Sequence, residues 1–247
     1  MFHLYRVGTD QKRETKETAM RYITTLFKPK QKADVPHSSG IYDAQWVNKL
    51  AAGIERNSEL GVLYVVCDPP SSEDKMTMAV DTFNFEYPDR DWSSMMEMFN
   101  PDVVGDGAIM LGLDTIITGS LERIEDACKG HSCIVPIDPY HAPLICNAAV
   151  YVDAEVAAEI WEKWQIGRWA YMQEDKYKMF GKFSEMRWLR EHLKYDGTWD
   201  ALVPGAIQSY KVNLNSGPPK EDTAMVYFHG SPKLHQVGQP WVKEHWK

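Results

Sequence analysis

From residue 43 onward the chain alternates between two hydrophobic rhythms. Trp46, Val47, Leu50 and Ile54 recur at intervals of three and four, which predicts a helix over 43–57 with Asp43 as its N-cap. Gly61 then opens the unbroken apolar run Val62-Leu63-Tyr64-Val65-Val66-Cys67, closed by Asp68-Pro69-Pro70. A run of this length without polar alternation marks a strand buried on both faces, as in parallel sheets covered by helices. A helix-like stretch over 92–99 and a strand over 107–113 repeat the unit. Further strands fit 132–137, 145–152, 205–211 and 224–228, and helices fit 153–165 and 183–193. The alternation predicts an α/β fold of three layers. No repeat or low-complexity linker interrupts it, so 1–247 reads as one domain.

The N-terminal part follows a different pattern. Residues 2–7 fit a short opening strand. The segment 11–32 carries seven bases against two acids, with Met20, Ile23, Leu26 and Phe27 near helical spacing. It reads as a solvated amphipathic helix with a basic face, or more sharply as a docking surface for an anionic acceptor. Pro36, Ser38, Ser39 and Gly40 make 33–41 a loop. Together 11–41 form a basic helix and loop inserted ahead of the regular pattern.

Composition changes this picture only at the margins. Hydrophobic residues are 44% and charged residues 25% of 247, an ordinary globular balance. Acids outnumber bases 35 to 27, for a net charge of −8. That balance argues against nucleic acid as a partner, although the basic 11–32 segment keeps a DNA acceptor in view. The four cysteines show neither a CxxC pair nor zinc spacing and read as free thiols, three of them in buried apolar runs. Neither a signal peptide nor an apolar stretch of about eighteen residues is present, so a cytoplasmic location without a membrane span is expected. The nine tryptophans and twelve tyrosines are read mainly as core.

The informative chemistry lies in 107–119, Gly-Ala-Ile-Met-Leu-Gly-Leu-Asp-Thr-Ile-Ile-Thr-Gly. An apolar strand runs into a single carboxylate, Asp114, and an acid there is costly unless it is paired or holds a cation. A second polar cluster, Phe228-His229-Gly230-Ser231-Pro232-Lys233, follows another apolar strand. In open α/β sheets ligands bind beyond the carboxyl ends of strands, and Asp68, Asp114, Asn147 and His229 all fall near such ends. Asp114 and His229 suit a Mn²⁺ or Mg²⁺ ion. Gly230 allows backbone to approach a diphosphate closely, and Lys233 supplies positive charge. The alternative for His229-Gly230 is a plain turn after a strand.

These motifs, in this order, resemble the GT-A glycosyltransferases, specifically the glycosyltransferase family 8-like proteins and their phage and bacterial relatives. The resemblance covers roughly 42–247. It rests on Tyr42 to Leu50, Trp92 to Pro101, Leu111-Gly112-Leu113-Asp114-Thr115, Cys146 to Val150, Ile207 to Lys211, Phe228 to Lys233, and the closing Trp241 to Trp246. It implies a single GT-A domain with a mostly parallel sheet and transfer of a sugar from a nucleotide-diphosphate sugar to an unidentified acceptor. By the same resemblance Asp114 is the second acid of an Asp-x-Asp signature, His229 the late metal ligand and Lys233 the phosphate contact. Asn147 would face the donor sugar, and Asp68 would lie by the nucleobase. A divalent cation would then act as Lewis acid on the leaving diphosphate.

Three positions depart from the family pattern. Gly112 stands where the first signature acid belongs. Glu185-Met186 replaces an Asp-Gln pair, and Met95 replaces a common lysine. A weakened metal site is one consequence, and a metal-independent transferase using Lys233 is another. A third is a catalytically lapsed sugar-nucleotide-binding or interaction protein. Glu185 is the candidate base if the reaction needs one. A nucleotidyltransferase is the runner-up enzyme, but Arg6-Val7-Gly8-Thr9 and Ser38-Ser39-Gly40 are slight for its glycine-rich loop.

Overall fold

The computed structural model describes residues 19–28, 42–68, 81–88 and 91–247. The predicted strand at 2–7, the loop at 33–41 and most of the 11–32 segment lie outside the described residues. The part of that segment that is described is not helical: Arg21–Leu26 forms strand β1. Among the described residues the strands continue as β2 (Val62–Cys67), β3 (Asp81–Asn84), β4 (Gly107–Leu111), β5 (Thr115–Ile117), β6 (Cys133–Val135), β7 (Ala149–Asp153), β8 (Lys178–Met179), β9 (Lys182–Phe183), β10 (Gly197–Thr198), β11 (Ile207–Ser209) and β12 (Met225–Tyr227). The helices are α1 (Ala44–Asn57), α2 (Pro101–Val104), α3 (Glu122–Ala127), α4 (Ala154–Tyr171), α5 (Glu185–His192), α6 (Trp199–Leu202) and α7 (Pro240–His245). The predicted helix at 92–99 is a 3₁₀ segment, Trp92–Phe99, with Asp91 accepting from the Ser93 amide at its start.

Seven strands form the central sheet in the order β10-β6-β7-β4-β1-β2-β3. Every neighbouring pair is parallel except those of β7, which runs against both β4 and β6. The strands that read as continuous apolar runs split their side chains between two cores. Tyr22, Leu63, Val65, Ile109 and Leu111 join one core with Trp46, Leu50 and Ile54 of α1. Ile23, Tyr64, Val66, Ala108 and Met110 join the other with Met96, Trp161, Trp164 and Trp188. Helices therefore cover both faces, giving the expected three layers. At about 1.5–3 kcal/mol per fully buried aliphatic or aromatic side chain, these two cores supply the main stabilisation.

The error in the 11–32 reading has a local cause. Thr24 and Thr25 count as polar in the sequence, yet in β1 they are 1% and 5% exposed. With them inside, β1 is a central strand buried on both faces, and the near-helical spacing of Ile23, Leu26 and Phe27 is a coincidence of a short segment.

A second, three-stranded sheet (β11-β12-β5) flanks the core. Only Gly112, Leu113 and Asp114 separate β4 from β5, so the chain crosses from one sheet to the other at the residues the sequence marked. Helix α1 lies close to β5: a Cβ on Gly53 would sit 3.2 Å from Ile117, which explains a glycine inside that helix. Among the described residues no helix is long and apolar enough to cross a membrane. All four cysteines are free and buried.

Candidate functional site

Backbone pairing brings distant segments onto one rim. In the β5–β12 ladder Thr115 faces Tyr227, and the next amide, Phe228 N, donates to Asp114 O at 2.9 Å. The turn at 228–233 is thereby fixed beside Asp114. The β11–β12 register places Ser209 opposite Tyr227, so Ser209 meets His229, its Oγ 2.7 Å from His229 Nε2. Tyr42, just ahead of α1 and edge-on to Trp46 at 4.9 Å, donates its hydroxyl to Asp114 Oδ2 at 3.2 Å.

Asp114 is thus already partnered. Its Oδ2 also takes a charge-assisted hydrogen bond from Lys233 Nζ, whose second bond goes to Phe228 O at 3.2 Å. Lys233 is only 7% exposed. Burial, with the Asp114 charge next, holds the Tyr42 hydroxyl protonated far above its ordinary range. The other carboxylate oxygen fills the place that a side chain at 112 would need, since a Cβ on Gly112 would lie 2.7 Å from Asp114 Oδ1.

His229 is neutral. Burial and then Lys211 push its imidazole down to about 4. Ser209 is fully buried, and its Oγ accepts from Val212 N at 3.2 Å. Ser209 Oγ and His229 Nε2 share a hydrogen bond whose direction follows the imidazole tautomer. Tyr140 stands edge-on to the same ring, with centroids 5.1 Å apart.

Lys211, a residue the sequence reading did not single out, completes the cluster. Its Nζ donates to Ser231 O at 3.1 Å and lies 3.1 Å from where a Cβ on Gly230 would stand. Gly230 has φ +63°, so the turn suits glycine on both conformational and steric grounds. Burial and then Lys233 depress the Lys211 ammonium below its usual range.

A second cluster lies along the same rim. Asn147 precedes β7, whose first residue Ala149 pairs with Leu111, the last of β4. Its Nδ2 donates to Glu185 Oε1 at 2.8 Å. Glu185 opens α5 behind the N-cap Ser184. With Met95, Met98, Phe99, Met110, Val150 and Leu189 the pair lines a hollow of about 10 Å³, room for about one water molecule. Burial dominates over the Asn147 bond and pushes the Glu185 carboxyl up to about 7.

Helix α5 ties the two clusters together. Its first turn holds Glu185; near its end Arg190 pairs with buried Asp138 and donates through Nε to Ile145 O at 2.8 Å. Asp138 Oδ1 in turn accepts from the amides of Tyr140 at 2.8 Å and His141 at 3.2 Å. This fixes the loop that carries Tyr140 against His229. No local motif in the sequence announces a partnership between residues 138 and 190. Asp68 stands exposed just past β2, two strands along the sheet from β4.

A divalent cation does not fit the side chains as they stand. Asp114 is engaged by an ammonium and a phenol, and His229 Nε2 is engaged by Ser209. Among the described residues no group of three or more His, Cys, Asp or Glu could hold a metal.

The sheet order and the two-sided helical cover define a GT-A-like fold. The sequence matches no protein-family model and no curated protein. Solved structures of the same fold do match. The apo form of the glycosyltransferase GlyE of Streptococcus pneumoniae TIGR4 aligns with a TM-score of 0.59 at 12% identity over 91% of this chain. This chain spans 58% of GlyE's length. An active-site mutant of LgtC aligns with a TM-score of 0.56 at 9% identity, over 91% of this chain and 93% of that one. The galactosyltransferase LgtC in complex with donor and acceptor sugar analogs aligns with 0.54 at 8% identity, over 87% and 89%. Likeness at these identities establishes the fold.

Proposed function

We propose that this chain is a family 8-like glycosyltransferase with a degenerate signature at Gly112-x-Asp114. It would transfer a sugar from a nucleotide-diphosphate sugar to an acceptor hydroxyl. One observation carries the reading: on the rim where GT-A-like sheets bind ligands, the 228–233 turn is lined by two lysines against one carboxylate. The excess positive charge calls for an anion, and a diphosphate supplies it.

In the reaction the bond from the anomeric carbon to the phosphate oxygen breaks, and its electron pair leaves with the nucleoside diphosphate. The acceptor oxygen forms the new bond to that carbon and gives up its proton to Glu185. A carboxyl near 7 is poised to take a proton at neutral pH. Asn147 orients it through the 2.8 Å hydrogen bond. Gly230 gives the diphosphate access to backbone, and Asp68 lies toward the nucleobase.

The test is release of nucleoside diphosphate from a panel of nucleotide sugars in the presence of simple saccharide acceptors. Glu185→Gln is expected to lower kcat by at least about 100-fold and to leave donor Kd unchanged. A protein that binds nucleoside diphosphates but releases none from any donor would instead be a lapsed binding protein. Gly112 and Met186, both departures from the family pattern, favour that second reading.

A further inference from the structure

We propose that Lys211 and Lys233 take the place of the divalent cation, so that this chain holds a nucleoside diphosphate without one. The inference rests on the function proposed above and names how that site neutralises its ligand.

The starting point is what Gly112 permits. With no side chain there, the Asp114 carboxylate folds over residue 112 and turns its other oxygen to Lys233 and Tyr42. The space of a first metal-binding acid is occupied by the second, and the second is spent on an ammonium. His229 Nε2 is tied to the buried Ser209 Oγ at 2.7 Å. The residues that would serve a cation are each committed elsewhere.

The lysines, by contrast, have capacity left. An ammonium carries three donors. Lys233 uses one on Asp114 and one on Phe228 O, and Lys211 uses one on Ser231 O. Among the described residues Lys211 has no carboxylate partner. Asp138, the other acid near His229, is matched by Arg190. Lys233 is paired with Asp114, and Lys211 is left in surplus beside a glycine with φ +63°. The surplus charge of Lys211 and the spare N–H donors of both lysines flank an open glycine turn that suits a diphosphate, and a divalent ion added among them would meet repulsion from both.

Calorimetry on metal-stripped protein tests this, with UDP, GDP and ADP titrated in excess EDTA and again in Mn²⁺. Binding of at least one diphosphate in EDTA is expected, with a Kd within about threefold of that in Mn²⁺. Lys211→Gln is expected to weaken binding by about tenfold or more, the loss of one charged hydrogen bond. Its thermal unfolding should match the parent, because Lys211 is not a core residue. Binding that requires Mn²⁺ overturns the inference and leaves the glycosyltransferase reading standing. No binding in either condition removes both. Unchanged affinity in a folded Lys211→Gln protein removes Lys211 from the site and overturns the inference.

Discussion

Replacing Glu185 by glutamine asks whether burial truly holds this acid near neutrality. Glutamine has the shape of protonated glutamate and keeps an oxygen for the Asn147 amide, now 2.8 Å from Oε1. The unfolded chain ionises at the ordinary carboxylate value, near 4.5, while the folded chain holds the group up to about 7. Between those values the folded state binds more protons than the unfolded one, so stability falls as pH rises through the window and levels off above it. Each unit of separation is worth about 1.4 kcal/mol, which puts the loss near 3 kcal/mol at pH 8 against about 1 kcal/mol at pH 5. The residue keeps partial contact with solvent, which trims the pH 8 figure to roughly 2–3 kcal/mol. Urea denaturation of parent and Glu185→Gln at pH 5, 6, 7 and 8 measures it. The variant should be close to the parent at pH 5 and more stable by about 2–3 kcal/mol at pH 8. Histidines with depressed values, His192 and His229, contribute equally to both proteins and cancel in the difference. A difference that stays flat from pH 5 to 8 would refute the reasoning, because Glu185 would then be an ordinary exposed acid.

The Asp114–Lys233 pair predicts a coupled result. Asp114→Asn strands a buried ammonium and should cost about 3 kcal/mol in urea denaturation, whereas Asp114→Asn with Lys233→Met should regain most of it. A double variant no more stable than the single one would show that the pair is not the reason for the loss. Gly112→Asp should displace Asp114, because the new Cβ would stand 2.7 Å from Oδ1, and should bring two acids together. We expect it to unfold at lower temperature than the parent in EDTA and to gain a Mn²⁺-dependent rise in Tm that the parent lacks. An equal Mn²⁺ shift in both proteins counts against the substitution of lysines for metal.

Much of the architecture was legible because it follows from periodicity. Helix α1 with its Asp43 cap, the buried strands β2 and β4, and the strand-end positions of Asp114 and His229 appear where the pattern puts them, whereas Asn147, expected inside a strand over 145–152, lies just ahead of β7 and reaches the rim because β7 runs antiparallel to β4. What escaped is what periodicity does not encode. Buried threonines disguised β1. Lys211 closes the predicted strand 205–211 with no role of its own there, since its significance lies in having no acid partner among the described residues, and an absent partner leaves no mark on local sequence. The Asp138–Arg190 pair joins residues 52 positions apart. The metal reading of Asp114 and His229 came from residue type, whereas their hydrogen bonds to Lys233 and Ser209 are set by strand register.

The passage of the chain through Gly112-Leu113-Asp114 also orders events in time. Strands β1 to β10 all precede residue 199, so a chain growing from its N-terminus can complete the large sheet while β5 still lacks β12. Over that interval β5 presents an unpaired edge and Asp114 is an acid whose base has not yet been made. At about 5–20 residues per second, the wait from residue 117 to residue 233 lasts on the order of ten seconds. Unpaired edges of this kind invite association with other chains. Pairing with β12 closes that edge and Lys233, a few residues on, neutralises the acid, so a ribosome that stalls before residue 225 should yield an aggregation-prone chain.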